Sequence, residues 1–171
     1  MFELLKNFNE FWLSSLNSLT QYSIIKNVAM LFADLPIFFI PMFLVWFWVL
    51  HHKKSETSKK ENMLFIFYSI VLAVSINITI QQFVNLERPE THLKNAWELL
   101  LNHIPDASFP SDHAAVAASF ISAIFLFWYK RSALTILPFF IIMLVSRIIA
   151  WVHWPLDIIA WIIVWMLSSF I

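Results

Sequence analysis

The stretch VAMLFADLPIFFIPMFLVWFWVL, residues 28–50, carries one ionisable residue, Asp34, and two prolines, Pro36 and Pro41, in 23 positions. At about 1.5 Å per residue such a run crosses a hydrocarbon core of roughly 30 Å. Four further apolar runs follow it: Met63–Ile80, Ala114–Tyr129, Ala133–Ala150 and Pro155–Ile171. Five such runs leave too little polar chain to cover them as buried helices of a water-soluble protein, so lipid is read as the solvent for most of the molecule. The composition agrees. Of 171 residues 60% are hydrophobic and 13% charged, about half the charged share of a soluble domain.

The same composition narrows the chemistry. The chain has no cysteine and no glycine, and its 11 basic residues balance its 11 acidic ones. Disulfide frameworks and thiolate nucleophiles or metal sites are therefore excluded. So are glycine-rich phosphate loops and dinucleotide fingerprints. A nucleic-acid partner would require a basic excess, and disorder would require a far more polar chain. Neither repeats nor low-complexity tracts interrupt the sequence, and the length suits one domain over residues 1–171.

The first 20 residues read differently from the rest. Phe2, Leu4, Leu5, Phe8, Phe11, Trp12, Leu16 and Leu19 recur at helical spacing, with Glu3, Lys6, Asn7, Asn9, Glu10, Asn17 and Ser18 on the other side. This pattern predicts an amphipathic helix lying in the membrane interface. It has neither the basic start nor the continuous apolar stretch of a cleaved signal peptide. The expected fold is all-α: a polytopic membrane bundle of five transmembrane helices within residues 22–171, plus the interfacial helix over 1–20, six helices in all.

Charge sets the orientation. Lys53, Lys54, Lys59 and Lys60 lie in one loop, and Lys130 and Arg131 in the turn after the third run; the positive-inside rule places both in the cytoplasm. The opposite face then gathers Gln81–Asp112, the corner Arg147–Trp154 and the N-terminal helix. Trp46, Trp48, Trp128, Tyr129, Trp151 and Trp154, at run ends, suit interfacial aromatic belts.

Three polar clusters meet on that outer face: Glu87-Arg88-Pro89, Pro110-Ser111-Asp112-His113, and Ser146-Arg147 with His153 and Asp157. Ionisable residues at membrane depth are costly and point to function. Ser111 or Asp112 is a natural N-cap for the third apolar run, and the free amides and positive dipole end of that helix suit an anion. Arg88 and Arg147 present planar forks matched to phosphate oxygens. Pro155 suits the first turn of the last helix, and the spacing of four lets the Asp157 carboxylate reach back towards the His153 ring. A carboxylate there fixes one tautomer and leaves the other nitrogen free to attack. His113, in the first turn of its helix, is placed for proton transfer. A zinc site of His113, His153 and Asp157 is a second reading, weakened by two nearby arginines. Arg147 alone also reads as an interfacial anchor, and Asp157 alone as an N-terminal helix charge. Asp34 has two readings, as partner of a pocket cation or as cap of a break near Pro36. Glu87, Glu90, His92 and His103 lie in the loop over the pocket, where they either select the substrate or solvate the loop.

These residues resemble the type 2 phosphatidic acid phosphatase superfamily, whose motifs are Lys-x6-Arg-Pro, Pro-Ser-Gly-His and Ser-Arg-x5-His-x3-Asp. The third is complete as Ser146-Arg147, His153 and Asp157; the second appears as Pro110-Ser111-Asp112-His113; the first keeps Arg88-Pro89. The resemblance spans roughly residues 81–160. Gln81 stands in place of the lysine, supplying a neutral hydrogen bond or leaving the contact to another cation, and Asp112 in place of the glycine. The run Ala107 to Ala114, with Glu87-Arg88-Pro89, His92 and His103, is most similar to the BcrC-type undecaprenyl-pyrophosphate phosphatases of bacteria. The resemblance implies a metal-free, cofactor-free lipid (pyro)phosphatase of the bacterial plasma membrane. Its site would face the extracytoplasmic side, with a role in cell-wall biogenesis and bacitracin resistance. In the implied mechanism His153 forms a phosphohistidine, Asp157 orients it and His113 moves the proton. Arg88, Arg147, Ser111, the backbone at Asp112 and, at the lysine position, Gln81 bind the phosphate of a polyprenyl or other lipid substrate. Other lipid phosphates (lipid A, phosphatidylglycerol phosphate, phosphatidic acid) are the alternative substrates, and a catalytically silent lipid-binding protein is the alternative class.

Overall fold

The structure is a computed structural model that describes residues 2–50, 57–84, 86–92, 100–101, 107–127 and 130–168. Among them run seven α-helices and no strand: α1 (Phe2–Asn17), α2 (Ser23–Phe32), α3 (Leu35–Leu50), α4 (Thr57–Gln81), α5 (Asp112–Leu126), α6 (Lys130–Ile149) and α7 (Pro155–Ser168). Short 3₁₀ turns occupy Ser18–Gln21 and Pro89–His92. Lys53, Lys54, His103, Trp128 and Tyr129, singled out from the sequence, lie outside the described residues.

Helix α5 is the hub. Its alanines Ala114, Ala115, Ala117 and Ala123 and its Ser119 are all buried, and side chains this small let α4, α6 and α7 approach its backbone closely. Helix α4 turns one stripe inward, Met63, Ile66, Ala73 and Asn77, at the three-and-four spacing of a helix face. Leu64, Phe65, Tyr68, Val71, Leu72 and Ile78 point outward and are exposed. An apolar surface of this extent on the outside of a bundle suits contact with lipid chains.

The expected count of five spans is met only in part. By length and composition α4 and α6 qualify, and the bent pair α2 and α3 makes a third if taken as one span. The expected first span breaks at Ala33-Asp34, where the two helices meet at 40°. Helices α5 and α7 have 15 and 14 residues, short of the roughly 20 that a lipid-facing helix requires. Helix α5 is shielded by its neighbours over most of its length, which removes that requirement.

Helix α1 is amphipathic as read, and Leu4, Phe11 and Trp12 point away from the bundle. Its other side, however, is not simply polar. Leu13 is buried, and the flanking Asn9 and Asn17 reach into the bundle. Asn17 Nδ2 donates to the Ile149 carbonyl at the end of α6 (2.8 Å) and Asn9 Oδ1 accepts from the Leu156 amide at the start of α7 (3.0 Å). The two asparagines thus satisfy helix-end groups with no intrahelical partner. They bracket the corner between α6 and α7. Each such cap contributes about 1 kcal/mol, so the double substitution Asn9→Ala, Asn17→Ala is expected to lower the thermal midpoint in detergent by several degrees. An unchanged midpoint would show that α1 does not brace the corner.

Candidate active site

The antiparallel run of α4, α5, α6 and α7 brings four helix ends to one level. The end of α4 supplies Gln81, the start of α5 Ser111 to His113, the end of α6 Arg147 and the start of α7 Asp157. The α2–α3 break adds Asp34 at the same level, since its carboxylate reaches both His113 and Arg147.

Ser111 caps α5 as the sequence suggests, its Oγ accepting from the Ala114 amide (3.4 Å). The amides of Asp112 and His113 precede the helical ladder and form the positive end of the helix dipole. The Asp112 carboxylate turns towards α4, where Asn77 Nδ2 and Gln81 Nε2 (3.3 Å) donate to it. The same two amides also donate to the Pro110 carbonyl, at 3.2 and 3.1 Å. Gln81, expected on the substrate, thus spends its amide donor on the loop that carries Ser111. The Asp112 amide thus stays at the positive end of α5 while its charge is held on the α4 side.

Arg147 is 2% exposed. Its Nη1 donates to the Asp34 carboxylate (2.5 Å) and the Ala33 carbonyl (3.3 Å) and lies 3.1 Å from His113 Nε2. Its Nη2 lies 3.4 Å from His153 Nε2. Arg88, also buried, donates from Nη1 to the Val152 carbonyl (3.0 Å), beside His153. The two arginines and two histidines predicted from topology do converge. The guanidinium between the histidines disfavours the zinc reading, and among the described residues no three His, Asp or Glu side chains form a metal-binding group.

The corner carrying His153 closes α6 by a Schellman motif. The Val152 amide donates to the Arg147 carbonyl (3.0 Å) and the Trp151 amide to the Ile148 carbonyl (3.1 Å). The residue between helix and corner, Trp151, has φ 63°. Glycine ordinarily takes this left-handed position, and a side chain there costs about 1–2 kcal/mol. In a chain without glycine the cost falls on Trp151, whose ring packs against the core.

His153 Nδ1 lies 2.8 Å from the Ser108 carbonyl. A carbonyl only accepts, so Nδ1 carries the proton and Nε2 presents its lone pair towards Arg147. The direct Asp157–His153 contact expected from the spacing is not made. Asp157 Oδ2 instead accepts from Ser108 Oγ (2.5 Å) and from the Trp154 amide (3.2 Å). Asp157 is the third residue of α7, from which a carboxylate reaches back to the N-cap amide, and Ser108 fills the space between it and the ring. Ser108 is buried, and the neighbouring Phe109 stacks on Trp161 of α7 (6.0 Å, 25°), anchoring this loop. His92 packs against Trp154 (5.9 Å), whose Nε1 donates to the Glu87 carbonyl (3.0 Å).

Sequence reasoning thus assigned no role to Ser108 or Asn77 and left Asp34 open. A polar residue on the inward stripe of α4, one turn before Gln81, was the available signal for Asn77. Ser108 offered none, since its partners stand 45 and 49 residues away.

The PAP2 superfamily model matches residues 62–171. The chain is 30% identical over 152 residues to the bacitracin transport permease protein BcrC of Bacillus licheniformis, covering 87% of this chain and 70% of that protein. It is 27% identical over 125 residues to the putative undecaprenyl-diphosphatase YbjG of Escherichia coli (strain K12), covering 72% of this chain and 59% of that protein. No solved structure matches it.

Burial holds the His153 imidazole well below its ordinary 6.5, the charges of Arg147 and Arg88 push the same way, and the Ser108 carbonyl opposes them. As pH falls through about 6.5 the unfolded chain takes up a proton that the folded ring refuses, so this group contributes stability above that range and loses it on acidification. ¹⁵N NMR of the histidine rings at pH 6 is expected to find His153 neutral and protonated on Nδ1. An imidazolium, or the Nε2-protonated tautomer, would contradict this geometry.

Proposed function

The chain belongs to the PAP2 superfamily, and on that premise we propose that it hydrolyses undecaprenyl pyrophosphate to undecaprenyl phosphate through a phosphohistidine at His153. The observation that carries the reading is the placing of His153, its Nδ1 on the Ser108 carbonyl and its Nε2 at the Arg147 guanidinium, with His113 Nε2 on the same guanidinium. The names of the relatives, one of them an undecaprenyl-diphosphatase, support the substrate class.

In the proposed reaction His153 Nε2 attacks the terminal phosphorus, and the bond to the bridging oxygen breaks. Arg147, Arg88, Ser111 and the first-turn amides of α5 take the phosphoryl oxygens, where charge must be stabilised in the transition state. The Ser108 carbonyl receives the Nδ1 proton's hydrogen bond throughout and so steadies the positive charge that grows on the ring. Asp157 acts one residue further out, fixing Ser108 through its hydroxyl. His113 protonates the leaving group where needed. It then removes a proton from the water that attacks the phosphohistidine, releasing inorganic phosphate and regenerating His153. A diphosphate leaves readily, so His113 matters most in the second step. All ligands to phosphate are drawn from the chain itself, and no cofactor enters the scheme. The site faces the extracytoplasmic side of the bacterial plasma membrane, since Lys59, Lys60, Lys130 and Arg131 cluster at the opposite helix ends.

Phosphate release from undecaprenyl pyrophosphate in detergent tests the reading, with phosphatidic acid as the competing substrate. His153→Ala is expected to lose at least about a thousand-fold in kcat. Ser108→Ala, which strips a buried carboxylate of a donor, is expected to lose about ten- to a hundred-fold. Undiminished turnover by His153→Ala would overturn the mechanism. Faster turnover of phosphatidic acid would overturn the substrate assignment.

A further inference from the structure

Asp34 is the single ionisable residue of the first apolar run, and a carboxylate at that depth calls for an explanation. It lies outside residues 62–171, where the family match falls, and outside all three motifs. The chain turns there: α2 ends at Phe32, α3 begins at Leu35 and the two bend by 40°. The Asp34 Oδ1 atom sits 2.5 Å from Arg147 Nη1 and 3.1 Å from His113 Nε2. In the proposed reaction Arg147 must take a phosphoryl oxygen, and His113 must exchange protons with the leaving group and the attacking water beside it.

Which nitrogen it touches decides between two roles. A carboxylate that orients a catalytic histidine binds the ring nitrogen remote from the substrate. Asp34 approaches Nε2, the nitrogen that faces Arg147 and the site. It therefore competes for the donors that a phosphate needs. Exposure agrees, since the Asp34 side chain is 41% exposed while that of Arg147 is 2%. The carboxylate is thus the accessible partner of the pair and the guanidinium the enclosed one.

We propose that Asp34 is a placeholder for the phosphoryl group, its carboxylate filling the anion site of the free enzyme until the substrate phosphate displaces it by movement at the α2–α3 break. This rests on the phosphatase reading and adds to it a specificity device. The buried guanidinium is never left without an anion. Free inorganic phosphate, with no lipid chain to hold it in the membrane, competes poorly against a tethered carboxylate, so product leaves. A lipid-anchored diphosphate, concentrated in the bilayer and carrying more charge, displaces it.

The test uses the full chain in detergent, comparing wild type with Asp34→Asn and Asp34→Ala, and inorganic phosphate as the probe. Asp34→Asn keeps the volume and an acceptor oxygen for Arg147 while removing the charge. Its inhibition constant for phosphate is expected to fall about ten-fold or more, as follows from deleting a negative charge roughly 3 Å from the donors. KM for the lipid diphosphate falls with it. The rise in thermal midpoint on adding phosphate becomes larger than in wild type for both variants. Equal or weaker phosphate binding by Asp34→Asn overturns the proposal. So does a fall in kcat with phosphate affinity unchanged, which assigns Asp34 to positioning His113. Variants that fail to fold even in phosphate buffer also overturn it. In all of these cases a wild type that turns over lipid pyrophosphate leaves the phosphatase reading intact. A wild type that neither turns it over nor binds phosphate ends both.

Discussion

A guanidinium buried to 2% exposure must be surrounded by acceptors or it does not stay folded. Arg147 meets that demand at its Nη atoms with a carboxylate and a carbonyl from the α2–α3 break, and it stands within hydrogen-bond reach of one histidine from α5 and one from the α6–α7 corner. One side chain therefore ties four parts of the chain to a common level. The remaining features of the site follow from this. The helix ends must lie at one depth, and α2 and α3 must break where Asp34 can reach. The corner after α6 must also turn sharply enough to bring His153 back over the residue six positions before it.

The absence of glycine shapes how the anion site is made. A chain without glycine has no glycine-rich phosphate loop, and on the proposed reading the donors come from the first turn of α5 and from two arginines. The left-handed corner position falls to Trp151, held by its packing against the core and by the bracing of α1 on either side of the corner. The family's glycine position holds Asp112, and its lysine position holds Gln81. In the structure the two residues meet: the Asp112 carboxylate is turned to α4 and held by the Gln81 and Asn77 amides.

Much of this was legible beforehand. The apolar runs marked the helices, the lysines marked one face, and the polar clusters marked the other. The convergence of Arg88, His113, Arg147 and His153 followed from that topology. What escaped were contacts set by tertiary packing. Asp34 carried two readings, partner of a pocket cation and cap of a break near Pro36, and the sequence could not say that both meet: the helices bend beside it, and its carboxylate reaches Arg147, 113 residues away. Asn9 and Asn17 read as a water-facing side of α1, since only the folded corner offers the helix ends they cap. The spacing of His153 and Asp157 suggested a direct pair, but a four-residue spacing cannot reveal that Ser108 arrives from another loop to stand between them.

The tautomer of His153 is where fold and proposed chemistry meet, because the Ser108 carbonyl holds the proton on Nδ1 and leaves Nε2 free, the nitrogen that attacks in the proposed reaction. Rapid quenching of the full chain during turnover of lipid pyrophosphate labelled in the terminal phosphate, followed by identification of the phosphohistidine isomer, reads this directly. The account requires label on His153 through Nε2. Label through Nδ1, on His113 instead, or on no histidine under conditions of active turnover would contradict it.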